Sequence, residues 1–389
     1  MSFHNLKKAL IHSKDSLRHL ISRLRYDFET SEEKLNIKEL KQAVIHRADG
    51  KLGDAICFMP FIRELKRFAP DCRIVILSNK STAEIYQSAD FIDEVILFPK
   101  KPKNNETDAF ADRLKGTDLY IHLFDTLKGR HLRLISRMHP KWVATLDRSL
   151  KCDNLKIHQY TACIDDSGNS DEKYSDCLHM TDLLFKILEN GGISPELINR
   201  GYCRLFADRI PGRGEKYAFL KSPAASDKIN DVTEEKTVIF NPFGASSSRR
   251  FSERIITEII DMLLKLTSAH IVLWTGPGDR EYGEKIIGNI FAGNSRVSTT
   301  GVLSSASEII IAMASCDAMI GVDTGSAHAA ACFDIPELTF YSSNMVNYSR
   351  WYARAPGAVN VILDTGHFGN ADENAVSQAV KSFVQKIKL

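Results

Sequence analysis

The run Gly321-Val322-Asp323-Thr324-Gly325-Ser326-Ala327-His328 joins an apolar strand to an Ala-rich helix through small polar residues. Such a junction presents free backbone N–H groups at the positive end of a helix dipole, and Gly325 lets a phosphate approach the main chain. Asp323 repels phosphate; it is better suited to accept hydrogen bonds from sugar hydroxyls or from its own turn. A simple N-cap, Asp or Thr before a helix, is the plainer reading. A second junction, Arg47-Ala48-Asp49-Gly50-Lys51-Leu52-Gly53-Asp54, follows the apolar residues Ala43 to Ile45 and precedes an amphipathic helix, the opening of a βαβ unit. Asp54 stands where a helix begins, which favours its ionised form and keeps it able to accept a proton. Its alternative use is to cap that helix.

Further polar clusters stand at other strand ends. Gly244, Ser246, Ser247, Arg249 and Arg250 follow the strand Thr237–Asn241, and Thr275, Gly276 and Glu281 follow His270–Trp274. Each loop offers backbone or hydroxyl hydrogen bonds. A structural turn explains any one of them, but three at successive strand ends favour a site. Arg47, Lys51 and Lys128 are basic residues on strand-end loops, suited to receiving phosphates or carboxylates.

The elements that must carry these loops alternate along the chain. Short apolar strands (Ala43–Ile45, Ile74–Leu77, Glu94–Leu97, Leu119–Leu123, Trp142–Thr145) alternate with helices in the first half. The second half repeats the scheme with strands Thr237–Asn241, His270–Trp274, Val297–Ser298, Ala318–Val322 and Glu337–Tyr341. Such a pattern predicts parallel sheets covered on both faces, with ligands beyond the carboxyl ends of the strands. The expected division is a basic amphipathic N-terminal helix and connector over 1–41, a first Rossmann-like domain over 42–206, a linker over 207–235, a second Rossmann-like domain over 236–371, and a closing helix over 372–389. Lys100 to Thr107 is expected to form a loop, and Ala109–Leu114 a helix.

Composition narrows the class. The 389 residues exceed what one core usually supports, so two domains are expected. At 43% hydrophobic and 26% charged the chain is that of a soluble globular protein, and no apolar run approaches the ~20 residues that span a bilayer. Eight scattered cysteines without a C-x-x-C pair, and no segment resembling a secretory signal, read as reduced thiols in a cytoplasm. No Cys or His cluster has metal-ligand spacing, so neither metal nor cofactor is expected. A net charge of +2 without an aromatic-basic stripe argues against nucleic-acid binding. Neither a G-x-G-x-x-G after a strand nor a G-x4-G-K-[ST] is present.

The first 28 residues depart from this balance. Lys7, Lys8, Lys14, Arg18, Arg23 and Arg25 outnumber Asp15 and Asp27, and Phe3, Leu6, Leu10, Leu17, Ile21, Leu24 and Phe28 recur at helical spacing. A basic amphipathic helix can lie on an anionic bilayer, pack on its own protein or pack on a second subunit.

Taken together, Arg47, Gly53, Asp54 and Pro60 near one end and Asp323-Thr324-Gly325 with His328 near the other resemble glycosyltransferase family 9, the lipopolysaccharide heptosyltransferases, over roughly residues 42 to 370. The resemblance implies a GT-B-type fold, two Rossmann-like domains facing a central cleft, with the closing helix packing back across both. It implies inverting transfer of heptose from ADP-heptose to the lipid A inner core, at the cytoplasmic face of the inner membrane. Asp54 then matches the general base, and Arg249 with Arg250 replaces the Lys that meets the donor diphosphate. Glu281 would bond a ribose hydroxyl, and His328 would hold the turn or touch a donor phosphate. Gly244, Ser246, Ser247, Thr275, Gly276, Asp323, Thr324 and Gly325 would complete the donor site. Arg47, Lys51, Gly53 and Lys128 would face the acceptor, on a turn one residue longer than in many members. Two other readings compete: the same fold using another nucleotide-sugar for O-chain or capsule synthesis, and a nucleotide-binding scaffold without catalysis.

Overall fold

The computed structural model describes residues 16–122, 127–145, 156–157, 178–211, 236–276, 278–301, 303 and 305–389. Residues 1–15 of the expected N-terminal helix, 212–235 of the expected linker and Pro277 lie outside the described residues. The chain divides into two compact units, Met1–Gly50 with Phe58–Ser167 and Met180–Gly201, and Lys51–Cys57 with Gly168–His179 and Tyr202–Leu389.

The first unit is built on β1 (Gln42–Arg47), β2 (Arg73–Ser78), β3 (Glu94–Leu97), β4 (Leu119–His122) and β5 (Trp142–Thr145). They form one parallel sheet in the order β3-β2-β1-β4-β5. Apart from its first residue β1 is buried along its whole length, as are β4 and β5. Side chains on both faces of these strands meet apolar neighbours, which is why they read as runs rather than alternations. The helix expected over Ala109–Leu114 starts earlier, at Asn104, because the Glu106 carboxylate accepts from the Lys103 backbone N–H and closes the helix start. Residues 16–26 are helical, and Tyr26 and Phe28 just beyond pack against the buried cluster of this unit.

The second unit carries β6 (Thr237–Asn241), β7 (His270–Leu273), β8 (Val297–Thr299), β9 (Ala318–Val322), β10 (Glu337–Tyr341) and β11 (Ala358–Ile362). All are parallel, in the order β11-β10-β9-β6-β7-β8. The order reverses between β6 and β9, which are neighbours with Asn241 opposite Gly321. Open parallel sheets bind ligands beyond the strand ends at such a switch point. Its core joins Ile256, Ile260 and Leu263 of helix Glu253–Leu266 to Val376, Val380 and Phe383 of the closing helix Glu373–Ile387. β11 and the short helix Met345–Trp351 were not expected from sequence. The strand is only half-buried and is interrupted by Asn360, so its apolar signal is weak.

Candidate active site

Asp323 is the hub of the loops at the switch point of the second sheet. Its Oδ2 accepts from Arg249 Nη1 at 2.9 Å and from Asn347 Nδ2 at 2.7 Å. A second, longer bond runs from Arg249 Nη1 to the Asp323 carbonyl at 3.4 Å. Arg249 reaches this turn because its loop folds back tightly: Gly244 N–H donates to the Arg249 carbonyl at 2.8 Å, and Phe243 bridges Arg250. A Cβ on Gly244 would lie 2.4 Å from that carbonyl, so the loop closes only around glycine. Ser246 and Ser247 lie at its exposed tip.

Thr324, extended at φ −150° and ψ 171°, is the N-cap residue of helix Gly325–Ala331. Its hydroxyl meets the Ser326 hydroxyl at 2.6 Å rather than capping a backbone N–H. Asn241, at the end of β6, donates to Ser326 at 2.9 Å and to Thr324 at 3.3 Å, while its carbonyl oxygen accepts from Phe243 N–H. One buried amide therefore ties the Gly244–Arg250 loop to the Asp-Thr-Gly turn.

The Gly53-Asp54 segment belongs to the same unit. Helix Leu52–Phe68 begins inside the expected junction, so Gly53 and Asp54 lie in its first turn. The turn glycine is instead Gly50, at φ +74°. Gly53 is required for proximity: a Cβ there would lie 2.7 Å from His328 Cδ2 and 3.1 Å from Gly325 Cα. A Cβ on Gly325 would in turn lie 2.9 Å from the Gly53 backbone nitrogen. Asp54 is 8% exposed, with the exposed Lys51 ammonium 3.9 Å from its Oδ2.

His328 locks this contact. Its Nδ1 faces the Tyr202 hydroxyl at 3.1 Å and the Cys57 thiol at 3.4 Å. Burial drives its pKa down to about 4, against a smaller opposing pull from the Asp323 carboxylate. The imidazole is therefore neutral at physiological pH, and it stands between the two motifs as an uncharged spacer.

The remaining candidates lie further out on the same loops or in the first unit. Arg250 is ion-paired with Asp279 and lies over the Phe243 ring, so of the two arginines Arg249 is the one on the Asp-Thr-Gly turn. Thr275 is buried, its N–H donating to Thr300 Oγ1 at 2.9 Å, and the Gly276 carbonyl accepts from Asp279 N–H. Glu281 is exposed in the first turn of helix Arg280–Ile290. In the first unit Arg47 is buried, bonded to Asp49 at 2.9 Å and stacked over Phe58, while Lys128 is exposed just before helix Gly129–Met138. Asn241, Tyr202 and Asn347 were missed by sequence reasoning. Only Asn241 left a signal, a lone amide ending an apolar strand.

No described residues form a group of His, Cys, Asp or Glu able to hold a metal ion, and no described helix is long and apolar enough to cross a membrane. Cys57, Cys72, Cys203, Cys316 and Cys332 are free and buried.

Two parallel-sheet α/β units, the second with a switch point between β6 and β9, are the architecture of the GT-B-type fold. Residues 202–375 match the family model described as glycosyltransferase family 9 (heptosyltransferase). The solved structure of the glycosyl transferase family 9 from Veillonella parvula DSM 2008 is similar at a TM-score of 0.67 and 18% identity, covering 93% of this chain and 99% of that one. E. coli heptosyltransferase WaaC with ADP aligns at 0.61 and 15% identity over 88% and 99%. E. coli ADP-heptose lps heptosyltransferase II aligns at 0.59 and 13% over 90% and 100%. Among curated proteins no sequence matches.

Proposed function

We propose that this protein is an inverting heptosyltransferase that moves a heptose from ADP-heptose to the inner core of lipopolysaccharide. The observation that carries the reading is the meeting of two motifs: the Gly53-Asp54 helix start packs on the Gly325-to-His328 turn, next to the Arg249–Asp323 ion pair. In the reaction the Asp54 carboxylate takes the proton of an acceptor hydroxyl while that oxygen attacks the anomeric carbon. The bond from that carbon to the diphosphate oxygen breaks, and the nucleoside diphosphate leaves with the electron pair. Configuration inverts because a single displacement occurs, and no metal is required when a guanidinium neutralises the departing charge.

Arg249 supplies that charge. To do so it exchanges part of its hydrogen bonding from Asp323 to the diphosphate, which frees the Asp323 carboxylate for sugar hydroxyls. Gly244, Ser246, Ser247, Thr275, Gly276, Thr324, Gly325 and His328 shape the donor loops around it; Arg250 and Glu281 stand at their edge. Arg47, Lys51, Gly53 and Lys128 are assigned to the acceptor side. Structures of E. coli WaaC with ADP and with ADP-2-deoxy-2-fluoro heptose make an ADP-linked heptose the first donor to test. A lipid-linked acceptor puts the reaction at the cytoplasmic face of the inner membrane.

The test is consumption of a panel of nucleotide-sugars by the purified chain, with Asp54→Ala as control. ADP-heptose is expected to be consumed in the presence of acceptor and the variant to lose at least ~100-fold in turnover while still binding ADP. Full turnover by Asp54→Ala removes the assigned base, and consumption of a different sugar nucleotide alone removes the donor.

A further inference from the structure

Helix 16–26 exposes four large apolar side chains on one stripe: Leu17 at 58%, Leu20 at 48%, Ile21 at 55% and Leu24 at 80%. The spacing of three, four and seven places them on one face of a helix. That face is not what fastens the helix to the first unit. Tyr26 and Phe28 do this, the Tyr26 hydroxyl accepting from Arg133 and the Phe28 ring stacking on His139. Gly129 sits so close to the helix that a Cβ there would lie 2.3 Å from Ser22 Oγ. An anchored helix that leaves a whole apolar stripe outside the core presents a docking surface.

A cavity of about 980 Å³ opens beside the stripe, with Ile21 on the border of both. Arg18 and Arg25 line it from the helix, Lys128, Arg130 and Arg133 from the segment opposite, and no carboxylate is among its described lining residues. Arg133 is matched by Asp108 behind it. Lys128 and Arg130 have no ion pair among the described residues, and Arg130 Nε is buried with no hydrogen-bond partner there. Clustered cations of one sign repel one another unless an anion joins them, and planar guanidinium groups suit phosphate oxygens.

We propose that this face is a membrane-docking surface, the Leu17-to-Leu24 stripe lying in the acyl boundary of an anionic bilayer and the adjoining cavity taking the phosphate of an anionic phospholipid headgroup. The charge pattern selects the bilayer over a second copy of the chain, because a self-association of this face would bring its arginines together. Arg18 and Arg25 flank the stripe, where their apolar stems can lie along the boundary while the charged ends reach the phosphates. The proposal draws its purpose from the reading of a lipid-linked acceptor, but its test contains no sugar donor, so either can fail alone.

The experiment is flotation of the full chain with vesicles of phosphatidylcholine, and of phosphatidylcholine doped with phosphatidylglycerol, at low and raised salt. Binding is expected only to the doped vesicles and is expected to weaken with salt. Arg18→Gln with Arg25→Gln is expected to weaken it roughly 30-fold, about fivefold for each charge. Leu20→Ser with Leu24→Ser, at exposed positions that leave the fold intact, is expected to abolish binding at raised salt. Equal binding to both vesicles, no binding to either, or binding unchanged in the Leu variant overturns the proposal. So does light scattering that shows a dimer split by Leu20→Ser with Leu24→Ser, which would make the stripe a subunit interface.

Discussion

Gly53 and His328 touch so closely that the glycine has no room for a side chain: a Cβ would stand 2.7 Å from the imidazole Cδ2. Two segments some 270 residues apart in sequence are held together by that contact. Gly53→Ala must push His328 away from Tyr202 and Cys57, whereas Gly325→Ala meets backbone that cannot yield. Both variants are expected to stay folded and to lose turnover by about 100-fold, the cost of misplacing a reacting group by roughly an ångström. His328→Ala makes room for the new methyl, so the pair Gly53→Ala and His328→Ala is expected to be non-additive by about 0.5–3 kcal/mol in a double-mutant cycle. Strict additivity in transfer rates would show that the contact does not position Asp54.

The two arginines of the Ser247–Arg250 segment have different partners, and their variants should separate. Arg249→Ala removes the cation at the Asp-Thr-Gly turn and is expected to lower kcat by about 100- to 1,000-fold. Arg250→Ala loosens Asp279 and Phe243 at the edge of the loop, so its effect is expected in KM for the donor, within about tenfold. Steady-state kinetics on both variants decide between them; the reverse ranking would move the phosphate contact to Arg250.

Acid should weaken the fold through His328. Its pKa in the folded chain is about 4 against 6.5 when exposed, so between these values the unfolded chain binds the extra proton. Stability is therefore fully present above about pH 6.5 and falls as pH drops towards 4, by on the order of 3 kcal/mol for this one group. Burial and the nearby His122, Arg130 and Arg47 push buried His46 in the same direction. Denaturant midpoints measured from pH 7.5 to 4.5 should show the decline, and His328→Asn should make it shallower. An unchanged slope in that variant would exclude His328 as its source.

Asn241→Ala should damage two loops at once. The amide is buried and bonds Thr324, Ser326 and Phe243, so truncation leaves several polar groups without their partner. The expected cost is about 1–3 kcal/mol of stability. A rise in donor KM should accompany it, because the two loops proposed to bind the nucleotide lose their shared tie; calorimetric titration with ADP checks this directly.

Much of the architecture was legible because buried parallel strands are continuous apolar runs and several end in Gly- or Ser-containing turns. The positions of Arg249 and Asp323 on strand-end loops followed from the same rule. What was hidden depended on partners distant in sequence. Gly53 looked like a turn residue, yet it is helical, and its lack of a side chain answers to His328 and Gly325. Tyr202 and Asn347 stand in stretches with no periodicity to mark them, and their roles exist only through the His328 ring and the Asp323 carboxylate. Arg47 read as a basic residue on a strand-end loop, and nothing local foretold that Asp49 and Phe58 would enclose it.

The strand order of the second unit bears on which of its loops are free to vary. β6 and β9 are adjacent at the centre, and the Asn241, Arg249 and Asp323 linkage spans only that pair of neighbours. The segment leaving β10 is held to it, because Asn347 bonds Asp323, whereas the loop leaving β7 can lengthen or shorten without cutting it. Sequence change can therefore accumulate on the β7 flank while the Asn241, Arg249 and Asp323 linkage stays untouched.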